Sequence, residues 1–160
     1  MRRNTRTFGA LFAACTALLV CSPARAAVTG ACAALAETDY ASSAANESTN
    51  STTWVDLNDG GSISFATKKS GCVIVTLSAE AVAATDYMFL QAVLDGTMVC
   101  MPGTVVFLWE GTTDTTFATN TMTLVCDGVA KGNHTLQVQY ESSLGNSVGF
   151  GPRTLTVAHN

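Results

Sequence analysis

The sequence predicts an all-β fold, an antiparallel β-sandwich of jelly-roll type with seven to eight strands. Three observations predict it. From Thr53 onward, short runs alternate apolar and polar residues with a period of two, the mark of half-buried strands. Turn residues such as Asn58-Asp59-Gly60-Gly61 and Asp95-Gly96 punctuate those runs at short intervals. Charged residues make up 12% of the chain, and the abundant Thr, Val, Ser and Gly fit a pleated, half-exposed surface better than a helix.

The chain opens "MRRNTRTFGALFAACTALLVCSPARA". A basic start (Arg2, Arg3, Arg6) precedes an apolar run from Phe8 to Cys21, and Ala24-Arg25-Ala26 supplies the small residues a signal peptidase reads. The run is short of the roughly 20 apolar residues a spanning helix needs. Residues 1–26 therefore read as a cleaved secretory signal peptide, with a mature chain from about Ala27 and no membrane insertion afterwards. Lipidation at Cys21 is disfavoured because Val20 sits where a small residue is wanted, and nothing after Arg2-Arg3 supports twin-arginine export.

Residues 27–52 are small and polar and read as a partly flexible lead-in, in which "CAALAE" makes one helical turn at most. The sandwich domain is expected over 53–160. "TWVDL" and the turn "NDGG" lead into "SISFAT", with Ile63 and Phe65 on one face. "CVIVTLSAEAV" places Val73, Val75, Leu77 and Ala79 together, and "YMFLQAVLDG" does so for Met88, Leu90, Ala92 and Leu94. "TVVFLWEG" is apolar on both faces, so a central or covered strand is expected. "TMTLVCDG" offers Met122, Leu124 and Cys126, "HTLQVQYES" offers Leu136, Val138 and Tyr140, and "RTLTVAH" offers Leu155 and Val157.

Four cysteines follow the signal: Cys32, Cys72, Cys100 and Cys126. An even number in an exported chain argues for two disulfides, with three possible connectivities. The sequential pairing Cys32–Cys72 and Cys100–Cys126 is the one adopted here. No two of the four, and no histidine, have the spacing of a zinc site. No metal ligand and no cofactor are expected.

Signal removal leaves four basic residues (Lys68, Lys69, Lys131, Arg153) against twelve acids, a formal charge of −8. Nucleic acid is thereby excluded as a partner, since phosphate contacts need clustered Lys and Arg. Anionic membrane surfaces are disfavoured for the same reason.

The run "GCVIVTLSAEA … YMFLQAVLDG … TMTLVCDGVAKGNHTLQVQYESS … RTLTV", over about Thr53 to Ala158, resembles small exported bacterial jelly-roll proteins. In strand order it is distantly similar to C1q/TNF-type domains. The shared marks are Gly71 before a strand, the Leu94-Asp95-Gly96 turn and the Gly132-x-His134-Thr135 strand opening. Where a C1q domain carries Gly-x-Tyr-x-Phe this chain has Gly71-Cys72-Val73-Ile74-Val75. The resemblance implies a topology and no functional residues.

Candidate chemistry is sparse. "GNSVG" matches the hydrolase pattern around Ser147, but no helix and no acid follow it, so a hairpin loop is the better reading. "DLNDGG" resembles a calcium loop yet has Gly60 and Thr67 where ligands are needed, and reads as a tight turn. The sequons at Asn46, Asn50 and Asn133 are chance matches in a Ser/Thr-rich chain. His134 is expected to open a strand, with no acid or second histidine at a recruiting spacing, and His159 lies almost at the terminus, where order is usually poor. Flat rings can form a sugar platform, with Trp54, Trp109, Tyr87 and Phe150 as candidates, although core packing is the commoner fate of such residues. The candidate interaction surface is Trp54, Trp109, Phe107 and Tyr87.

These readings converge on a secreted, periplasmic or cell-surface protein. It is expected to be a non-catalytic structural or binding module for an extracellular protein or carbohydrate ligand. One alternative is a small carbohydrate-active or other hydrolytic enzyme using converging carboxylates. Another is a C1q/TNF-like self-associating surface protein, a homo-oligomer meeting through "TVVFLWE".

Overall fold

A computed structural model describes residues 32, 35–110 and 116–160. The segment read as a signal peptide lies outside the described residues, as do Ala33 and Ala34 of "CAALAE", whose last residue, Glu37, opens a strand. Eleven strands follow in order: β1 (Glu37–Ser43), β2 (Glu47–Thr49), β3 (Val55–Asp56), β4 (Ser62–Thr67), β5 (Gly71–Ala83), β6 (Tyr87–Leu94), β7 (Met98–Val99), β8 (Val105–Trp109), β9 (Ala118–Val129), β10 (Gly132–Ser142) and β11 (Val148–His159).

They form two antiparallel sheets. The first runs β1-β11-β5-β9 with β2 also on β11, and the second runs β3-β10-β6-β7 with β4 also on β10 and β8 also on β6. Three neighbouring pairs (β1/β2, β3/β4, β7/β8) each share one partner strand, so eight strand positions result, four per sheet. Numbered along the chain, the first sheet orders them 1-8-3-6 and the second 2-7-4-5. First pairs with last, second with seventh, third with sixth and fourth with fifth, as when one long hairpin is wrapped around a core. That nesting is the jelly roll.

Alternation places the core as expected: Ile63, Phe65, Val73, Val75, Leu77, Met88, Leu90, Leu94, Leu124, Leu136, Val138, Tyr140, Leu155 and Val157 are all buried between the sheets. Each large apolar side chain so buried contributes about 1.5–3 kcal/mol. The Asp95-Gly96 turn has both residues at positive φ (52° and 69°), the geometry of a type I′ hairpin, and Thr97 N–H donates to Leu94 O at 3.2 Å. Cys100–Cys126 joins the two sheets at the β7/β9 margin, and Cys32–Cys72 ties the segment before β1 to the start of β5. The sequential pairing holds.

Three differences from expectation have physical reasons. The sheets take in part of the segment read as lead-in: β1 pairs with β11 from Glu37↔His159 to Ser43↔Arg153, and β2 pairs with its other half. This edge is held by polar contacts, so it shows no apolar alternation. The run "TVVFLWE" is neither central nor covered; β8 is an edge strand paired with β6. A register shift opposite Met88/Phe89 inserts one extra residue, which turns both Phe107 and Leu108 inward. Phe107, expected at the surface, is buried against Phe150 with centroids 5.7 Å apart.

Candidate functional site

The bulge that buries Phe107 leaves Val106 and Trp109 outward, 54% and 58% exposed. Trp109 lies opposite Tyr87 on β6, and their rings are near-parallel, 26° apart with centroids at 5.9 Å. Tyr87 also stacks with Phe89, two residues along the same face, at 6.3 Å and 10°. Three rings thus form one ladder on the outer face of the second sheet, with Trp109 at its free end. A flat apolar surface laid on Trp109 would extend the stack by one layer.

Beside the ladder runs a polar strip. Gln91 Nε2 donates to Gln139 Oε1 at 2.8 Å, and Gln139 Nε2 donates to Asp56 Oδ1 at 2.8 Å, linking β6, β10 and β3 across the face. A groove of about 470 Å³ follows this strip, lined by Asp56, Gln91, Val93, Gln137 and Gln139 among others. Glu141 lies opposite Phe89 in the β10–β6 register, and burial pushes its carboxyl above the ordinary carboxylate range. It makes no hydrogen bond among the described residues. The face is therefore apolar along β6/β8 and rich in amide and carboxylate groups along β10/β3.

The histidines meet at one end of the sandwich, which their sequence spacing did not show. His134 belongs to the inward set of β10, and Phe65 lies opposite it on β4 at 5.6 Å between ring centroids. His159, on β11, approaches the same Phe65 ring at 5.0 Å. It is ordered in β11 and 1% exposed, contrary to the expectation for a terminal residue. Each has an acid: His134 Nδ1 is 2.8 Å from Asp95 Oδ2, and His159 Nε2 is 2.9 Å from Asp39 Oδ2. A groove of about 670 Å³ lies over them. His134 Nε2 also lies 2.9 Å from Ala130 O, so both of its nitrogens face pure acceptors and both must donate. That geometry favours the imidazolium: burial works against its charge, but the bonds to Asp95 and Ala130 prevail and raise its pKa. With both nitrogens committed, His134 is not available as a base or ligand.

The remaining buried polar groups are structural. Arg153, 3% exposed, donates to Asp59 O (2.7 Å), Ala45 O (2.8 Å), Gly151 O (3.0 Å) and Glu47 Oε2 (3.1 Å), fastening β2 and the β3–β4 turn to β11. Asp86, fully buried, accepts from Ser142 Oγ (2.6 Å) and from the N–H groups of Tyr87, Leu144 and Asn146, holding the β10–β11 loop in place. That loop contains Ser147, so "GNSVG" ends as loop and strand. "NDGG" is the β3–β4 turn, closed by Gly61 N–H to Asn58 O at 3.0 Å; a Cβ on Gly61 would lie 2.2 Å from Leu57 O. No cluster of three or more His, Cys, Asp or Glu able to hold a metal occurs among the described residues.

Of the candidate surface residues, Trp109 and Tyr87 are brought together and exposed. Trp54 is half-buried immediately before β3, and carrying the β3–β10 register one residue further sets it opposite Glu141. Phe150 is fully buried. Sequence reasoning missed Phe89, Gln91, Gln139 and Glu141 as a group; the signal was their shared parity with Tyr87 on β6 and with one another on β10.

No protein-family model matches the chain, and no curated protein matches it. Among solved structures it is similar to a CBM35 module from Cellvibrio japonicus Abf62, at 16% identity over 78% of this chain and 99% of that chain, with a TM-score of 0.41. It is also similar to the C-terminal CBM6 of LamC, a laminarinase from Zobellia galactanivorans, at 16% identity over 75% and 99%, with a TM-score of 0.43. A third is Xyl-CBM35 in complex with a glucuronic acid-containing disaccharide, at 16% over 70% and 85%, with a TM-score of 0.35. None of the three is a C1q/TNF-type domain, and the C1q/TNF likeness has no support among them. The jelly roll itself stands on the strand pairing above.

Proposed function

We propose that this chain is a non-catalytic carbohydrate-binding module that takes its ligand on the outer face of the second sheet. The observation that carries this is the Trp109–Tyr87–Phe89 ladder, exposed at Trp109 and Tyr87 and half-buried at Phe89, beside the Gln91–Gln139–Asp56 strip. A sugar ring has an apolar C–H face and a hydroxylated edge, and this surface is divided in the same way. The C–H face packs on the electron-rich face of an aromatic ring, while amides donate to and accept from hydroxyls and carboxylates accept from them. Apolar surface at such a density on one face marks an interaction site. Two disulfides fit an oxidising compartment, so the ligand is met outside the cytoplasm.

The hydrolytic alternative is less well supported, because Asp86 is consumed by structural hydrogen bonds and Asp95 and Asp39 by histidines. The test is affinity electrophoresis and calorimetry of residues 27–160 against a panel of soluble and insoluble polysaccharides. Retardation by at least one, abolished in Trp109→Ala with the far-UV spectrum unchanged, is expected. Failure of every polysaccharide to bind would overturn the reading.

A further inference from the structure

We infer that the glycan taken by this face carries free amino groups, and that Glu141 is the residue that selects them. This deepens the carbohydrate-binding reading and rests on it. The first ground is charge. Asp56 and Glu141 face outward on this side, Asp95 closes one end of the groove, and β3, β4, β6, β7, β8 and β10 contain no Lys or Arg. The four basic residues lie elsewhere: Lys68 and Lys69 in the β4–β5 turn, Lys131 before β10, and Arg153 inward on β11. His134 offsets Asp95, which leaves Asp56 and Glu141 as the uncompensated charges: a uronic acid placed beside them would meet like charge, whereas an ammonium meets the opposite charge.

The second ground is the state of Glu141 itself. Asp56, Asp86 and Asp95 each accept hydrogen bonds from within the fold. Glu141 accepts none among the described residues, yet it stands half-buried opposite Phe89, where burial disfavours its charge. An unpaired carboxylate beside apolar rings loses least by binding a cationic donor. The third ground is the ladder, since the face of Trp is the best of the aromatic surfaces for a cation, and Tyr87 and Phe89 add to it. Hydroxyl-only sugars use the stacking and the amide strip. An aminosugar uses these and the carboxylate together.

The test is isothermal titration calorimetry of residues 27–160 with three probes. They are an oligomer of β-1,4-linked glucosamine, its fully N-acetylated counterpart and an oligogalacturonate. One exposed ion pair plus one cation–π contact predicts about a tenfold preference for the free amine over the acetylated chain, and no measurable binding of the uronate. Glu141→Gln, isosteric and neutral, is expected to remove most of that preference, read as the ratio of the two affinities measured on the same variant. Equal affinity for the amine and acetylated chains, or a preference undiminished in Glu141→Gln, overturns this inference and leaves the carbohydrate-binding reading intact. Binding of none of the probes, nor of any polysaccharide in the wider panel, overturns both.

Discussion

His134 and Asp95, thirty-nine residues apart in sequence, form a 2.8 Å ion pair that caps one end of the sandwich, with the histidine side chain 8% exposed. Both shifts have a consequence for stability. Folding raises the His134 pKa, so its contribution is complete below the unfolded value of about 6.5 and is lost as pH rises through the folded value. The Asp95 pKa is lowered, mainly by the bond to His134, so its contribution is present above about 3.8 and lost as pH falls through the folded value. The wild-type melting temperature should therefore fall between pH 6 and pH 9 by more than that of His134→Gln. A constant difference between the two proteins across that range would show that the pair is not charged.

Asp86 should be the most costly acid to neutralise. Burial alone would raise its pKa, but the hydroxyl of Ser142 and three backbone N–H groups outweigh that and lower it. Asp86→Asn replaces an acceptor of four bonds with a group that must itself donate on one side, at about 3 kcal/mol. Urea denaturation at pH 7 measures it. The wild-type contribution itself disappears as pH falls below about 4 through the lowered value.

Arg153→Met should destabilise the fold by about 3–5 kcal/mol, because it takes the cation from half-buried Glu47 and the donor from the carbonyls of Asp59, Ala45 and Gly151. The double change Arg153→Met with Glu47→Gln should recover part of the loss. Additive losses in that cycle would show that the two side chains are not coupled.

Replacing Cys100 and Cys126 together by Ser should lower stability by about 2–4 kcal/mol, since that bridge closes a loop of 26 residues and joins the two sheets. Carbohydrate binding at low temperature should survive, because the ladder lies on the outer face. Denaturant midpoints of the oxidised protein and the double variant check the first statement, and affinity electrophoresis the second.

Most of the sandwich was legible because one face of each long strand is dry. "SISFAT" coincides with β4 to the residue, and the apolar sets of β5, β6, β9, β10 and β11 are the core itself. What was not legible depends on pairing across long separations. β1 hides because its side-chain contacts are polar, with Asp39 reaching His159 across 120 residues. Phe107 misleads because a bulge turns two adjacent residues to the same side, and period-two reading assigns them to opposite faces. Trp109 and Tyr87 were nameable as aromatics near strand ends. Their stacking, and the approach of Glu141, follow from the β8–β6–β10 order, which no local pattern contains.

The most direct measurement is the binding isotherm of Trp109→Ala beside that of the wild type, on whichever polysaccharide the panel shows to be retained. Loss of the end ring of the ladder should weaken binding by about 10- to 100-fold, with the melting temperature unchanged because Trp109 is largely exposed. Wild-type affinity in Trp109→Ala would place the ligand elsewhere on the molecule and contradict the account.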